Sequence, residues 1–300
     1  MKYAVIDVGS NTIRLSVCEV ENNEAKNLFH KKTTAGLASY VEDGALSEAG
    51  IDRASSALND FKELLSHFDI DQTFVFATAS LRNISNTEEA LEKIQEKTGY
   101  QIELLSGYEE AAMGYYGVRD VIKCREGILM DIGGGSTEIT AFGPDGPHAC
   151  QSFPIGSLNL YESCVSRVLP KRAELPNMLA RIEEVIPKEA LKPFGKSTQI
   201  VAVGGSARAV LKLGNGLYEL PSDNDTLTQV QTSHLLDTLV DKERTSIDLI
   251  LKRCPDRVHT VIPGLMILET MVEDFGGETI EVSQQGVREG YLWKKILKTV

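Results

Sequence analysis

Three turns in this sequence combine glycine, small polar residues and a neighbouring charge, the residue types that phosphoryl chemistry uses. The first is Asp7-Val8-Gly9-Ser10-Asn11, with Arg14 three residues on; the second is Asp131-Ile132-Gly133-Gly134-Gly135-Ser136, with Glu138 two residues on. The third is Gly204-Gly205-Ser206, followed by Arg208. Successive backbone N–H groups in such turns converge on one point and form an anion nest. Glycine permits the conformations and the close approach that this requires. A carboxylate at the strand end adds a hard oxygen ligand for a divalent cation. Ser10, Asn11, Gly133, Gly134, Gly135, Ser136, Gly204, Gly205 and Ser206 are therefore expected to bind phosphate. Asp7, Asp131 and Glu138 are expected to hold a metal ion, with Asp131 and Glu138 also placed to orient a water.

Cations and a base complete the set. Arg14 and Glu138 occupy matching places after their turns, so opposite charges there imply divided labour: Arg14 for phosphate, Glu138 for metal or water. Arg208 falls in the first turn of a helix, where the dipole disfavours a cation, and an anionic ligand accounts for it. Arg82, just past an apolar run, is expected to be a second phosphate clamp. At Ser106-Gly107-Tyr108-Glu109-Glu110 two carboxylates open a helix. Ser106-x-x-Glu109 reads as a capping box, with Glu109 reaching back to the Ser106 amide. Glu110 has no such duty and points about 100° further round the helix, which makes it the candidate general base for an attacking water.

The elements that must position these residues follow from hydropathy. Short apolar runs alternate with amphipathic stretches, the pattern of an α/β protein. Strands are predicted at 3–7, 14–19, 73–78, 102–105, 127–132, 137–142, 199–203 and 279–283. Helices are predicted at about 51–65 with Ser47 as cap, then 87–98, 107–122, 174–191, from 207, 233–240, 245–252, 261–275 and 287–297. The stretches beginning at Tyr3 and Gly127 share one template: an apolar strand ending in Asp, a glycine turn with a hydroxyl residue, and a second strand. This weak internal duplication predicts two similar domains facing each other across a cleft. The first is expected to span residues 1–120 and the second residues 121–284.

Bulk properties narrow the function class. At 300 residues the chain can build two cores. An apolar share of 42% and a charged share of 25% are those of a globular protein. No apolar run reaches the roughly 20 residues of a membrane span, and no signal peptide is evident, so a cytoplasmic location is expected. A net charge of −12 without a Lys/Arg run argues against nucleic acid and anionic membranes as partners. The 5 cysteines are scattered without a C-x-x-C pair, which excludes a disulfide framework or zinc site. There is neither a G-x-x-x-x-G-K-[ST] P-loop nor a complete G-x-G-x-x-G.

Taken in order, the runs Ile6–Asn11 with Arg14, Ala77–Arg82, Leu105–Ala111 with Tyr116-Gly117-Val118, Asp131–Glu138, Val203–Ser206 and Ser283–Gly290 resemble the exopolyphosphatase/guanosine-pentaphosphatase family of the actin–Hsp70–sugar-kinase superfamily. The resemblance spans nearly the whole chain. It implies two ribonuclease H-like α/β domains with the substrate in the interdomain cleft, and a last helix packed back on the first domain, so that about 285–300 joins residues 1–120. By the same resemblance Glu110 is the catalytic base, Asp131 and Glu138 hold Mg2+ or orient water, and the three loops with Arg82 hold phosphates. The implied reaction releases orthophosphate from inorganic polyphosphate. The acidic balance favours short chains, and relatives lead us to expect a homodimer. The alternatives are a guanosine pentaphosphate 5′-phosphohydrolase, a kinase of the same superfamily, and a non-catalytic module that binds polyphosphate or alarmone. The chain departs from the family pattern in three places. It lacks the C-terminal helical region of longer members, Ala79-Ser80 reverses the usual Ser-Ala, and Ser206 replaces Thr.

Overall fold

A computed structural model describes residues 1–22, 24–241 and 243–298; residues 299 and 300, at the end of the expected first domain, lie outside the described residues. The chain divides into two compact units, Met1–Glu110 with the chain from Tyr291 onward, and Ala111–Gly290. Unit 1 contains strands β1 (Lys2–Val8), β2 (Thr12–Glu21) and β3 (Glu24–Thr34), a small ribbon of β4 (Val41–Glu42) and β5 (Ala45–Leu46), and helix α1 (Glu48–Leu65). Strand β6 (Gln72–Ala77), helices α2 (Ala79–Arg82) and α3 (Thr87–Thr98), strand β7 (Ile102–Leu104) and the start of α4 (Gly107–Val118) follow. The sheet order is β3-β2-β1-β6-β7. β1 pairs antiparallel with β2 and parallel with β6, placing Asp7 directly opposite both Arg14 and Phe76.

Unit 2 repeats the plan. Its strands are β8 (Gly127–Ile132), β9 (Thr137–Gly143), β10 (Gly146–Phe153), β11 (Gln199–Val203), β12 (Thr226–Thr228) and β13 (Thr279–Val282). Their order is β10-β9-β8-β11-β13-β12. Apart from the added β12, this is the unit 1 order, a three-strand meander continued by parallel strands, so the duplicated hairpins belong to duplicated sheets. Around it lie α5 (Ser157–Cys164), α6 (Leu175–Val185), α7 (Lys188–Leu191), α8 (Gly204–Leu217), α9 (Gln229–Asp241), α10 (Glu243–Arg253), α11 (Val261–Phe275) and α12 (Val287–Tyr291).

Burial explains which strands were readable. β1 is buried from Tyr3 to Val8, which gives the continuous apolar run of a strand covered on both faces. One face of the unit 1 sheet packs on α1 and α3 through Leu58, Phe61 and Ile94. On the other, Tyr291 stacks on Phe76 at 4.7 Å and donates to Glu103 at 2.5 Å, while Leu292 packs on Tyr3 and Cys18. The last helix thus does pack on the first unit. In unit 2 one sheet face meets α5, α6, α8 and α11, and the other meets Tyr115 and Val118 of α4.

Several local expectations are corrected. The predicted helix 174–191 is two helices, because Pro187 ends the hydrogen-bond ladder between α6 and α7. Ser47 stands at the α1 N-cap, but its Oγ is buried without a partner, so it caps only in position. Strands β3, β10, β4, β5 and β12 and helix α5 were not predicted. Among the described residues no helix is long and apolar enough to cross a membrane.

Two glycine motifs have a packing role. A Cβ on Gly117 of α4 would lie 1.9 Å from the Gly286 carbonyl oxygen, and one on Gly290 of α12 would lie 1.8 Å from that of Met113. The two helices therefore touch backbone to backbone, which only glycine allows at these points.

Candidate functional site

In unit 1 the first turn closes with the Gly9 amide donating to the Thr12 carbonyl at 3.2 Å. The carbonyls of Ser10 and Asn11 are tied from behind: Ala38 donates to the former, and Ala35 and Gly36 to the latter, at 2.9–3.1 Å. Arg14 is half-buried, with Nε 3.0 Å from Thr12 Oγ1. The second turn is built the same way. Gly133 donates to the Ser136 carbonyl at 2.9 Å, and the start of α5 holds the turn from behind. Ser157 donates to the Gly133 carbonyl through its amide and Oγ, Leu158 and Asn159 donate to Gly134, and Asn159 Nδ2 to Gly135. With the carbonyls drawn back, each turn keeps its amide edge on the opposite side, the geometry of a nest. A Cβ on Gly156 would lie 2.5 Å from the Gly134 carbonyl carbon, so α5 approaches this closely only through glycine.

The third turn starts α8. Gly204 has φ +87, and a Cβ there would lie 2.3 Å from Asp131 Oδ1. Asp131 therefore rests against the third turn, in the space a side chain would fill. Ser206 is only 1% exposed, and its Oγ donates to Ser157 Oγ at 3.2 Å, which in turn donates to the Gly133 carbonyl. Its hydroxyl thus braces the second turn. Arg208 reaches the Gln284 carbonyl at 3.5 Å and lines a ≈530 Å³ pocket with Leu211, Lys212, Asp223 and Gln285.

The carboxylates sort by partner. Glu109 accepts from the Ser106 amide at 3.0 Å and from its Oγ at 2.9 Å, while Ser106 Oγ accepts from the Glu109 amide at 3.2 Å. This is the capping box. Lys295 binds the other Glu109 oxygen at 2.9 Å. That ammonium, ahead of the Ser106 amide, pulls the Glu109 carboxyl below its ordinary value. Glu110 faces elsewhere: it is 8% exposed, and its Oε2 accepts from Arg82 Nη1 at 2.8 Å. The same Nη1 donates to the Leu105 carbonyl at 3.0 Å, fixing Arg82 between Leu105 and Glu110. Ser80 Oγ donates to the Val8 carbonyl, anchoring α2 beside the first turn.

Asp131 and Glu138 are directly opposite each other on β8 and β9, so both side chains leave the same face of the sheet. Glu138 is 2% exposed, and Ser152 Oγ, from the residue opposite it on β10, donates to its Oε1 at 2.6 Å. Two adjacent carboxylates repel each other, and as hard oxygen donors they suit Mg2+, which takes one or two carboxylates and keeps water. Among the described residues no group of three or more Asp, Glu, His or Cys side chains gathers as a metal cage. In unit 1 the corresponding partner of Asp7 is Arg14. The first hairpin therefore pairs a carboxylate with a cation, and the second pairs two carboxylates.

Sequence reasoning missed Ser152, Ser157, Asn159 and Gly156, which hold the second turn and Glu138. Their only sequence signal is Gly156-Ser157-Leu158-Asn159, a helix start without a following apolar period.

Two sheets of one strand order, each opening on a glycine hairpin, define a protein of the actin–Hsp70–sugar-kinase class with two ribonuclease H-like units. The profile of the Ppx/GppA phosphatase family matches residues 16–299, and the chain belongs to that family. It is 23% identical to exopolyphosphatase 1 of Mycobacterium tuberculosis over 99% of this chain and 88% of the relative. The crystal structure of an exopolyphosphatase from Cytophaga hutchinsonii superposes with a TM-score of 0.87 at 22% identity, covering 100% of this chain and 99% of that one. The Ppx/GppA family member of Aquifex aeolicus gives 0.78 at 26% identity, with 99% and 98% covered.

Proposed function

We propose that the protein is a magnesium-dependent exopolyphosphatase that removes the terminal phosphoryl group from short inorganic polyphosphate chains. Glu110 carries this reading. It is buried, oriented by Arg82, and relieved of helix capping by Glu109. In the proposed reaction Glu110 takes a proton from water as the water oxygen bonds to the terminal phosphorus. The bridging P–O bond breaks, and its electron pair leaves with the chain, now one unit shorter. The amide edges of the Ser10-Asn11, Gly133–Ser136 and Gly204–Ser206 turns take the phosphoryl oxygens, and Arg14 and Arg82 add positive charge. Asp131 and Glu138 would hold Mg2+, which when bound supplies charge stabilisation to the transferred group. A net charge of −12 supports short chains over long polyanions.

The second reading, a guanosine pentaphosphate 5′-phosphohydrolase, is favoured by the ≈530 Å³ pocket beside Arg208 and Lys212 in unit 2, which offers room for a nucleoside. Orthophosphate release with Mg2+ from tripolyphosphate, long-chain polyphosphate and guanosine pentaphosphate separates the readings. The proposal expects tripolyphosphate to give the highest kcat/KM. Release from guanosine pentaphosphate alone would transfer the assignment to the second reading, and release from none would end both.

A further inference from the structure

Helix α4 presents its candidate base from a first turn that local propensity holds weakly. The helix starts on Gly107 and also carries Gly114 and Gly117, and glycine lowers helix propensity more than any residue except proline. Ser106 ties the two carboxylates of that turn together. Its amide and hydroxyl bind the Glu109 carboxylate, and its carbonyl accepts from the Glu110 amide at 2.9 Å. Whatever fixes Glu109 therefore also fixes the backbone that carries Glu110.

Glu109 is fixed from outside the helix. Ser106 takes its Oε2, and its Oε1 accepts from Lys295 Nζ at 2.9 Å. The same ammonium donates to Glu103 Oε1 at 2.9 Å, and Tyr291 donates to Glu103 Oε2 at 2.5 Å. Both oxygens of both carboxylates are thus engaged, in a chain of contacts from β7 through the C-terminal segment to the cap of α4. Tyr291 is buried and stacked on Phe76, which anchors the near end of that segment. Beyond it the chain makes one π turn, with the Leu297 amide donating to the Leu292 carbonyl at 2.9 Å. Such turns are rare, and many of them lie at functional sites. A partly exposed ion pair adds little to stability. What this one supplies is direction, because it joins the cap of the base-bearing turn to the neighbouring strand.

We propose that Lys295 is a positioning residue for the Glu110 base: by bridging Glu109 to Glu103 it fixes the first turn of α4, while Arg82 fixes the carboxylate itself. This role rests on the reading of Glu110 as the base. Steady-state phosphate release from tripolyphosphate is compared for the wild type, Lys295→Met, Lys295→Arg and Lys93→Met, alongside hydrogen exchange of the Glu110 amide. Protection of the β1 amides reports in each variant that the fold is intact. Lys295→Met is expected to lower kcat about three- to ten-fold with KM essentially unchanged. It should also speed exchange of the Glu110 amide about ten-fold. Lys295→Arg keeps the charge and the reach, and should recover most of both. Lys93→Met removes ion pairs to Glu48 and Glu89 on α1 and α3, and should match the wild type. An unchanged kcat, an unchanged exchange rate, a loss confined to KM, or an equal response to Lys93→Met would each overturn the proposal. If the wild type released no phosphate the reaction assignment would fall, and amide exchange would still decide whether Lys295 holds the turn.

Discussion

Arg82 Nη1 lies 2.8 Å from Glu110 Oε2 and 3.0 Å from the Leu105 carbonyl, so one nitrogen ties the candidate base to the residue that follows β7. A base held this way approaches its water in one geometry, and misplacement by about 1 Å can cost 10²-fold in rate. Arg82→Ala is therefore expected to lower kcat by about ten- to a hundred-fold, read in steady-state assays. A change confined to KM would mean that Arg82 serves the phosphate alone.

The proposed metal site at Asp131 and Glu138 is testable. Asp131→Asn is expected to raise the Mg2+ concentration for half-maximal activity at least about ten-fold, and Ser152→Ala, which removes the Ser152 hydrogen bond to Glu138, by about ten-fold. The titration is activity against Mg2+ at saturating substrate. Unchanged midpoints in both variants would remove the pair from metal binding.

The central strands were legible because burial on both faces leaves an unbroken apolar run, as in Ile6 and its neighbours or Ile128-Leu129-Met130. Strands β3 and β10 were not. They lie at sheet edges, and β3 is a mostly exposed, charged stretch with no alternation to read. Missing β10 hid Ser152. The division between Glu109 and Glu110 was readable, because a capping box is local and its Ser106-x-x-Glu109 spacing is sufficient. The bracing of the second turn by Ser157 and Asn159 was not, because it depends on where α5 docks.

The contact between α4 and α12 sets a stability prediction. A methyl group at residue 290 or 117 would fall within 2 Å of a backbone oxygen, which no side-chain rotation can relieve. Gly290→Ala and Gly117→Ala are each expected to cost about 3 kcal/mol or more, read from chemical denaturation. Gly143→Ala, where nothing lies within 4 Å, is the tolerated control. Equal stability in all three would contradict the packing described.

Glu269 on α11 gives a pH dependence. Its Oε1 is buried without a partner, and burial pushes its carboxyl up to about 7, against weaker pulls from Thr232 and Ser233. Because its pKa is raised on folding, its contribution is fully present below the unfolded value near 4.5 and lost as pH rises through about 7. Wild-type stability should thus fall across that window, by on the order of 1–3 kcal/mol from this group. Glu269→Gln should flatten the fall and be the more stable form at pH 8. A parallel profile for the variant would show that Glu269 does not titrate there.

The central claim is that Glu110 activates the attacking water, and the most direct test is the rate of phosphate release by Glu110→Gln with substrate affinity measured on the same preparation. The account predicts a fall in kcat of about 10²- to 10⁴-fold, with the folded state and substrate Kd essentially unchanged. A variant that keeps the wild-type kcat would contradict it, and the base would have to be sought elsewhere.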